Sequence, residues 1–244
     1  MMRALAAMRI TVVTPTYNEA SNLPRLVERL LALPLDLNVL VVDDDSPDGT
    51  GRIADELAVA HPGRVSVLHR QGRRGLRSAY VEGFQLALQR DAEAVAQMDA
   101  DLSHDPDRLP AMAAALENSD LVLGSRYVAG GSVDPRWPVW RKGLSAWGNL
   151  YARTILGLDL RDMTTGYRLW RREALQGMPL DEIRSNGYVF LVEMVFVATK
   201  RGLRLSEVPI HFDDRRFGQS KMSLRIQLEA AARVWQVRLT HGKR

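Results

Sequence analysis

Short apolar runs alternate with amphipathic stretches along the first half of the chain. The apolar runs predict strands over residues 9–14, 38–42, 65–68, 94–98 and 121–123. Apolar residues at helical spacing predict helices over residues 23–33, 50–60, 78–90 and 107–117. Residues 39–42 are all apolar, as expected for a strand that is buried on both faces of a sheet. This β-α-β-α order predicts an α/β fold with a mostly parallel central sheet and helices on both of its faces.

The second half of the chain is less regular. Residues 130–138 predict a loop, and residues 139–156 and 224–239 predict helices. Five large apolar residues in the stretch 188–196 are expected in the core: Tyr188, Phe190, Leu191, Val195 and Phe196. No internal repeat or low-complexity linker divides the sequence, so we expect a single domain over residues 1–244.

Composition narrows the classes of function. The 244 residues carry a net charge of +4 and the pI is near 9.6, which favours an anionic partner such as a phosphorylated ligand, a membrane surface or nucleic acid. The absence of Cys excludes disulfides, thiolate metal sites and thiol nucleophiles. No apolar run is long enough for a transmembrane helix, and the first residues do not form a signal peptide.

Polar segments follow each predicted strand, and in parallel sheets ligands bind beyond the carboxyl ends of the strands. Asp99 and Asp101 follow the fourth strand, where two carboxylates can bind a hard divalent cation together with substrate phosphates. The alternative for this pair is a solvated loop that caps the next helix. Asp43 and Asp44 follow the second strand, where their mutual repulsion requires a compensating partner. His104 is expected to be a local hydrogen-bonding partner.

Several known site types have no counterpart in the sequence. It contains no G-x-S-x-G nucleophile motif, no P-loop and no G-x-G-x-x-G after the first strand. The five His residues lack metal-binding spacing. Some arginines are expected to be solvated surface residues: Arg136, Arg153, Arg161, Arg171 and Arg172.

Six motifs occur in order at residues 15–19, 43–50, 98–106, 124–127, 165–168 and 215–221. They read PTYNE, DDDSPDGT, MDADLSHDP, GSRY, TGYR and RRFGQSK. Together they resemble the signatures of a family 2 glycosyltransferase with the GT-A fold, and in particular those of the dolichol-phosphate and polyprenol-phosphate mannose synthases. The resemblance extends from about residue 10 to residue 221. One departure is Arg77, which stands where the family has a Gly.

The resemblance implies the inverting transfer of mannose from GDP-mannose to a polyprenyl phosphate, with Mg²⁺ or Mn²⁺ as the metal. It implies that one set of residues binds the nucleotide: Pro15, Tyr17, Glu19, Asp43, Asp44, Asp99 and Ala100. It implies that the metal is held by Asp99, Asp101 and Ser103. An acceptor phosphate is already anionic, so the reaction needs no general base, and the sequence offers no obvious one.

The resemblance also implies roles for basic residues. Arg126 would lie near the sugar diphosphate, with Arg215 and Lys221 on a mobile loop over it. With Asp99 and Asp101 they would form the catalytic set. Arg141 and Ser145 would contact the acceptor phosphate. Residues 10–125 would then be the nucleotide-sugar-binding half, 126–223 the acceptor-binding half, and 224–244 a C-terminal helix.

A polyprenyl acceptor implies contact with a membrane. We expect a cytoplasmic protein that associates peripherally with the cytoplasmic face of a membrane, directly or through an anchoring partner or fused domain. Residues 137–156 carry three Trp and several cations and are the favoured membrane-contacting segment. The terminal helix has a predicted apolar face, which we expect to pack on the protein: Leu224, Leu228, Ala231, Ala232 and Trp235.

Two alternatives remain at the level of sequence. One is a family 2 transferase that uses a UDP-sugar such as UDP-glucose. The other is a non-enzymatic basic module that binds anions or lipid, which would leave the acidic clusters at residues 43–44 and 99–101 without a role. Because those clusters repel phosphate backbones, we expect no nucleic-acid partner.

Overall fold

A computed structural model describes residues 8–72, 75–214 and 224–242. Nine strands lie in this part of the chain: β1 (Ile10–Thr16), β2 (Leu37–Asp43), β3 (Val65–His69), β4 (Ala94–Gln97), β5 (Leu121–Ser125), β6 (Ser132–Val133), β7 (Arg168–Arg171), β8 (Leu205–Pro209) and β9 (His211–Phe212). The α-helices of the described residues are α1 (Leu23–Leu31), α2 (Thr50–Ala60), α3 (Leu76–Gln89), α4 (Leu109–Leu116), α5 (Val139–Leu156), α6 (Arg172–Gln176), α7 (Gly187–Lys200) and α8 (Leu224–His241). A short 3₁₀ helix, Pro106–Arg108, precedes α4.

The main sheet has the strand order β3-β2-β1-β4-β7-β5-β8. Strand β7 is antiparallel to both of its neighbours, and the other strands run parallel to one another. The predicted mostly parallel sheet is therefore confirmed, and the predicted strands and helices are present with small shifts at their ends. Strands β6 to β9 were not predicted, and β6 lies within the predicted loop of residues 130–138. For β7 the reason is that its sequence RLWR has an Arg at each end and resembles a polar segment.

Helices cover both faces of this sheet, as predicted. Val12 and Val13 point to opposite faces of β1 and belong to two different apolar clusters. One cluster packs α3, α5, α7 and α8 on the sheet, and the other packs α1 and α4 on the opposite face. The first cluster includes residues from Val13 to Val237, so the two halves of the chain share one core.

Helix α7 is almost entirely buried. Phe190, Leu191, Val195 and Phe196 lie in the core, which confirms that expectation. The expectation was wrong for Tyr188, which is 47% exposed in the first turn of the helix.

The terminal helix α8 packs on α5 and α7, which confirms the favoured interpretation. The predicted apolar face was partly wrong. Val234, Val237 and His241 are buried, whereas Trp235 is 50% exposed. The side chains of Leu224 and Leu228 lie outside the described residues. His241 lies on the buried face, and its Nε2 is 2.9 Å from a carboxylate oxygen of the buried Glu193 on α7.

Candidate active site

The carboxyl ends of β1, β2, β4 and β5 lie at one edge of the sheet, and the candidate residues follow them. Thr16 at the end of β1 pairs in register with Asp43 at the end of β2. Its hydroxyl donates a hydrogen bond of 2.9 Å to the Asp43 carboxylate. The backbone N–H and hydroxyl of Ser46 donate to the same carboxylate, at 3.1 and 2.6 Å. Asp43 is therefore stabilised by the loop that follows it.

Asp44 has a different partner, which the sequence did not indicate. The Arg70 guanidinium contacts one of its oxygens, and the backbone N–H of Gly75 donates to the other at 3.0 Å. Both side chains are almost fully buried. The compensating cation that the acidic run requires is thus internal. Arg70 follows β3, so only the parallel pairing of β2 with β3 brings it to Asp44.

The first loop carries the other nucleotide candidates. Pro15 and Tyr17 are half-buried at the end of β1. Glu19 accepts a hydrogen bond of 2.8 Å from the side chain of Asn22, and its own N–H donates to the Thr50 hydroxyl at 2.9 Å. The β1 and β2 loops are therefore joined.

Asp99 and Asp101 follow β4. Asp101 is buried, and one of its oxygens accepts hydrogen bonds from the N–H and the hydroxyl of Ser103, at 3.1 and 2.5 Å. Leu102 between them has a φ of 61°, in the left-handed region. This conformation is costly for a non-glycine residue, and it lets the N–H and hydroxyl of Ser103 turn back onto Asp101.

The donor set suits a hard divalent cation. Gly166 lies beside Asp99, and a Cβ at that position would approach the carboxylate to 3.3 Å, so the glycine leaves room there. In the described part of the chain no group of three or more His, Asp or Glu side chains is placed to hold a metal. Two carboxylates and a hydroxyl would supply only part of a coordination sphere, and substrate phosphates would have to complete it.

Two neighbours orient Asp99. The Tyr80 hydroxyl on α3 donates to a carboxylate oxygen at 2.8 Å. The backbone N–H of Asp99 donates to Nδ1 of His104 at 3.2 Å, which confirms His104 as a local hydrogen-bonding partner. Burial lowers the pKa of His104, so the ring is neutral near pH 7 and its proton lies on Nε2. Sequence reasoning did not identify Tyr80, since α3 is remote from the motif along the chain.

Arg126 directly follows β5 and forms a buried ion pair with Asp162. Its Nε and Nη2 atoms lie 2.6 and 2.7 Å from the two carboxylate oxygens, and its backbone N–H also donates to Asp162. The side chains are 7% and 0% exposed. Thr164 accepts a second hydrogen bond from Nη2. The guanidinium is thus held rigidly, and Asp162 was missed because no motif contains it.

The Asp162 carboxylate remains charged despite its burial. Burial by itself would raise its pKa, but the charge and hydrogen bonds of Arg126 outweigh that effect and lower the pKa below its ordinary value. The same pairing raises the pKa of Arg126.

Arg168 at the start of β7 is a buried cation. Burial lowers its pKa to about 9, so it remains charged near pH 7. It donates to the backbone carbonyls of Met163 and Thr165, at 2.9 and 3.0 Å. Arg168 thereby holds the loop that carries Thr164 beside Arg126 and Gly166 beside Asp99.

Arg141 and Ser145 lie on the side of α5 that faces the site. The Arg141 guanidinium is centred 3.8 Å from the middle of the Trp137 ring and forms an ion pair with Asp214. The Ser145 hydroxyl accepts a hydrogen bond of 2.7 Å from Tyr127. Trp137 is buried, whereas Trp140 and Trp147 are 69% and 55% exposed, so the three Trp residues do not form one surface.

Phe212 lies where these groups meet. Its ring contacts those of His104 and Trp137, at centroid separations of 5.6 and 5.7 Å. The Arg126 guanidinium lies 5.3 Å from the centre of the same ring. One aromatic side chain therefore links the Asp99 loop to both candidate phosphate-binding arginines. The sequence alone did not single out Phe212, since its contacts come from segments remote along the chain.

Arg215 and Lys221 lie outside the described residues. Arg77 lies in the first turn of α3 and donates to the backbone carbonyl of Ile183 at 2.5 Å. The expectation of solvation was wrong for Arg171 and Arg172, which donate to backbone carbonyls of the neighbouring segments. These carbonyls lie at element ends, where they lack partners within a helix or strand.

Comparison with known proteins shows which family the sequence is similar to. The family model described as glycosyl transferase family 2 matches residues 11–178. An undecaprenyl-phosphate mannosyltransferase of Micrococcus luteus is 47% identical over 227 residues, 93% of either chain. A polyprenol monophosphomannose synthase of Mycolicibacterium smegmatis is 45% identical over 233 residues, which are 94% of this chain and 88% of the relative.

A solved structure extends the likeness to the fold. The mannosyl-3-phosphoglycerate synthase of Rubrobacter xylanophilus has a TM-score of 0.70 at 20% identity, over 99% of this chain and 76% of its own. The GT-A fold expected from the motifs is therefore confirmed.

Proposed function

The chain belongs to glycosyl transferase family 2, and we propose that it transfers mannose from GDP-mannose to a polyprenyl phosphate with inversion at the anomeric carbon. The position of Phe212, which lies against both His104 of the Asp99 loop and the Arg126 guanidinium, carries this proposal. A donor diphosphate requires a metal on carboxylates, and an anionic acceptor requires its own cations. The named activities of the relatives from Micrococcus luteus and Mycolicibacterium smegmatis support the same reaction.

The donor side is proposed at the β1, β2 and β4 loops, in the half formed by residues 10–125. Pro15, Tyr17, Glu19, Asp43 and Asp44 would line the nucleoside site, with Asp99 and Ala100 beside the ribose. Asp43 and Asp44 have internal partners, so their contribution to this site is to keep the loops in shape and to accept further hydrogen bonds.

The metal would be Mg²⁺ or Mn²⁺, held by Asp99, Asp101 and Ser103. When bound, such an ion neutralises the diphosphate and stabilises the charge of the departing GDP. Tyr80 and His104 keep the Asp99 loop in one orientation. Arg215 and Lys221 are proposed to contact the same diphosphate.

The acceptor side is proposed in residues 126–223, with residues 224–244 as a supporting helix. Arg126, held by Asp162, would direct its remaining Nη1 atom toward the reacting phosphates. Arg141 and Ser145 would bind the acceptor phosphate, whose oxygen is already a nucleophile. That oxygen forms the new bond to the anomeric carbon as the bond to GDP breaks.

Contact with a membrane follows from the acceptor. Within the described residues, no helix is long and apolar enough to span a bilayer. The outer face of α5 exposes Trp140, Trp147 and Leu150, and the cations Arg136 and Lys142 lie just before and within its first turn. We propose that this face meets the cytoplasmic surface of an anionic membrane, directly or beside an anchoring partner.

The proposal is tested by transfer of labelled mannose to a short-chain polyprenyl phosphate. We expect product with GDP-mannose and a divalent metal, little without metal, and little with UDP-glucose in a parallel reaction. Asp101→Ala should abolish transfer while the circular dichroism spectrum stays unchanged. Transfer from UDP-glucose alone would reassign the donor, and full activity of Asp101→Ala would remove the metal from Asp101.

Membrane contact has a separate test. Salt-sensitive binding to anionic liposomes is expected, reduced by charge reversal at Arg136 and Lys142, with neutral liposomes as the control. If the protein does not bind anionic liposomes at low salt, a partner or fused domain must bring it to the lipid.

A further inference from the structure

Arg141, the candidate contact for the acceptor phosphate, is paired with a carboxylate of its own chain. Its Nη1 atom lies 3.1 and 3.3 Å from the two oxygens of Asp214. The stacking on Trp137 covers one face of the guanidinium and leaves its edge for anions. Among the described residues, Asp214 is the carboxylate with which Arg141 forms an ion pair.

A carboxylate on an arginine edge occupies the position that phosphate oxygens would take, because both anions accept hydrogen bonds from the same nitrogen atoms. We propose that Asp214 is a specificity-determining residue, an internal substitute for the acceptor phosphate that the acceptor displaces when it binds. This inference rests on the proposed role of Arg141 in binding the acceptor.

The surroundings allow the exchange. The side chains of Arg141 and Asp214 are 27% and 37% exposed, so water screens the pair and reaches the carboxylate when it moves. The Asp214 backbone is anchored, because its N–H donates to Asp134 at 3.0 Å and Asp134 is itself paired with Arg136. Rotation of the Asp214 side chain therefore frees Arg141 without unfolding the segment.

Competition between Asp214 and the acceptor for Arg141 favours acceptors that carry a negative charge. A polyprenyl phosphate replaces one anion with another on Arg141 and keeps the guanidinium paired. A neutral polyprenol offers no anion in exchange, so it gains nothing on Arg141 by displacing Asp214. Asp214 thus competes with the acceptor phosphate, and a neutral acceptor lacks the charge that would displace it.

The test is a gain of affinity, which damage to the fold does not produce. Asp214→Asn removes the charge but keeps the shape, so the KM for a short-chain polyprenyl phosphate should fall about two- to fivefold, in line with the strength of a partly exposed ion pair. The KM for GDP-mannose should not change. Asp214→Ser serves as a second variant, and calorimetric binding of the same phosphate gives a readout that does not depend on turnover.

Asp213→Asn is the matched control. The Asp213 carboxylate lies 3.3 Å from Nε2 of His211 and makes no ion pair with Arg141, so the acceptor KM should stay unchanged. In the double variant Asp214→Asn with Arg141→Ala, the gain should disappear.

The outcomes separate the two ideas. If Arg141→Ala raises the acceptor KM but neither Asp214 variant lowers it, Asp214 is not a competitor and this inference is wrong. If Arg141→Ala leaves the acceptor KM unchanged, the proposed acceptor site itself is wrong. An equal gain in Asp213→Asn would indicate a general charge effect and would also overturn the role of Asp214.

Discussion

Two arginines at this site are paired with aspartates, and the two pairs differ in depth. Arg126 and Asp162 are 7% and 0% exposed and are joined by two side-chain hydrogen bonds of 2.6 and 2.7 Å. Arg141 and Asp214 are 27% and 37% exposed and are joined by one nitrogen shared between two oxygens, at 3.1 and 3.3 Å.

The difference shows how burial decides what a carboxylate does for an arginine. In the buried pair, removal of one charge would leave the other unpaired away from water, at a high cost in free energy. Asp162 therefore stays paired with Arg126 and fixes the orientation of its guanidinium. In the shallow pair water replaces lost contacts, so Asp214 can be exchanged for a ligand at small cost. A transferase that must hold two anions can use a buried arginine to orient one anion and a partly exposed arginine to bind the other.

The largest effect is expected from breaking the deep pair. Asp162→Ala leaves the Arg126 charge buried without its partner, which should lower the free energy of unfolding by about 3–5 kcal/mol, measured by urea denaturation. Asp120→Ala is the control, since Asp120 forms a similar two-point pair with Arg204 at the other end of β5, where Asp120 is 18% exposed but Arg204 is 63% exposed. Because water reaches Arg204 when Asp120 is removed, the control should lose clearly less, about 1 kcal/mol. Equal losses would mean that burial does not distinguish the pairs.

The next largest effect is expected on acceptor binding, from removal of the partly exposed Arg141. Arg141→Ala should raise the acceptor KM about 10- to 150-fold, the loss of a charge-assisted hydrogen bond worth about 1.5–3 kcal/mol. Stability against urea should hardly change, because the pair with Asp214 is partly exposed. A matching loss of GDP affinity in a binding assay would move Arg141 to the donor side.

Low pH should weaken the buried pair of Arg126 and Asp162. The pKa of Asp162 in the folded protein lies below its ordinary value of 3.8, so its stabilising contribution is complete above that pH and is lost as the pH falls further. Asp162→Asn should therefore show a shallower loss of stability below about pH 4 than the wild type, measured by urea titrations at stepped pH. Parallel curves for the two proteins would contradict this assignment.

The smallest effect is expected from Trp137. Trp137→Phe keeps a ring under Arg141 but weakens the cation–π contact, which should cost about 0.5 kcal/mol at most and raise the acceptor KM no more than about twofold. The effect should vanish in an Arg141→Ala background. If it persists there, Trp137 acts on the acceptor by another route.

Much of the architecture was predictable because it depends on local pattern. Residues 39–42 had to be a buried strand, and residues 139–156 had to be a helix, since each carries its own periodicity. The position of the site was predictable for a related reason: polar turns after parallel strands gather at one edge of the sheet. Strand β7 escaped prediction because burial of Arg168 depends on carbonyls of the 163–165 loop, which pattern does not reveal.

The sequence by itself determined the α/β class, the edge of the sheet that carries the chemistry, and the motifs that indicate the family. Only the tertiary structure decided the partners: Arg70 for Asp44, Tyr80 for Asp99, Asp162 for Arg126 and Asp214 for Arg141. The physical reason is that periodicity is a property of neighbouring residues, whereas the pairing and burial of a charge depend on segments that folding brings together. Burial also sets the difference between the two arginines. The buried Asp162 holds Arg126 in one orientation, whereas the partly exposed Asp214 can be replaced on Arg141 by a ligand.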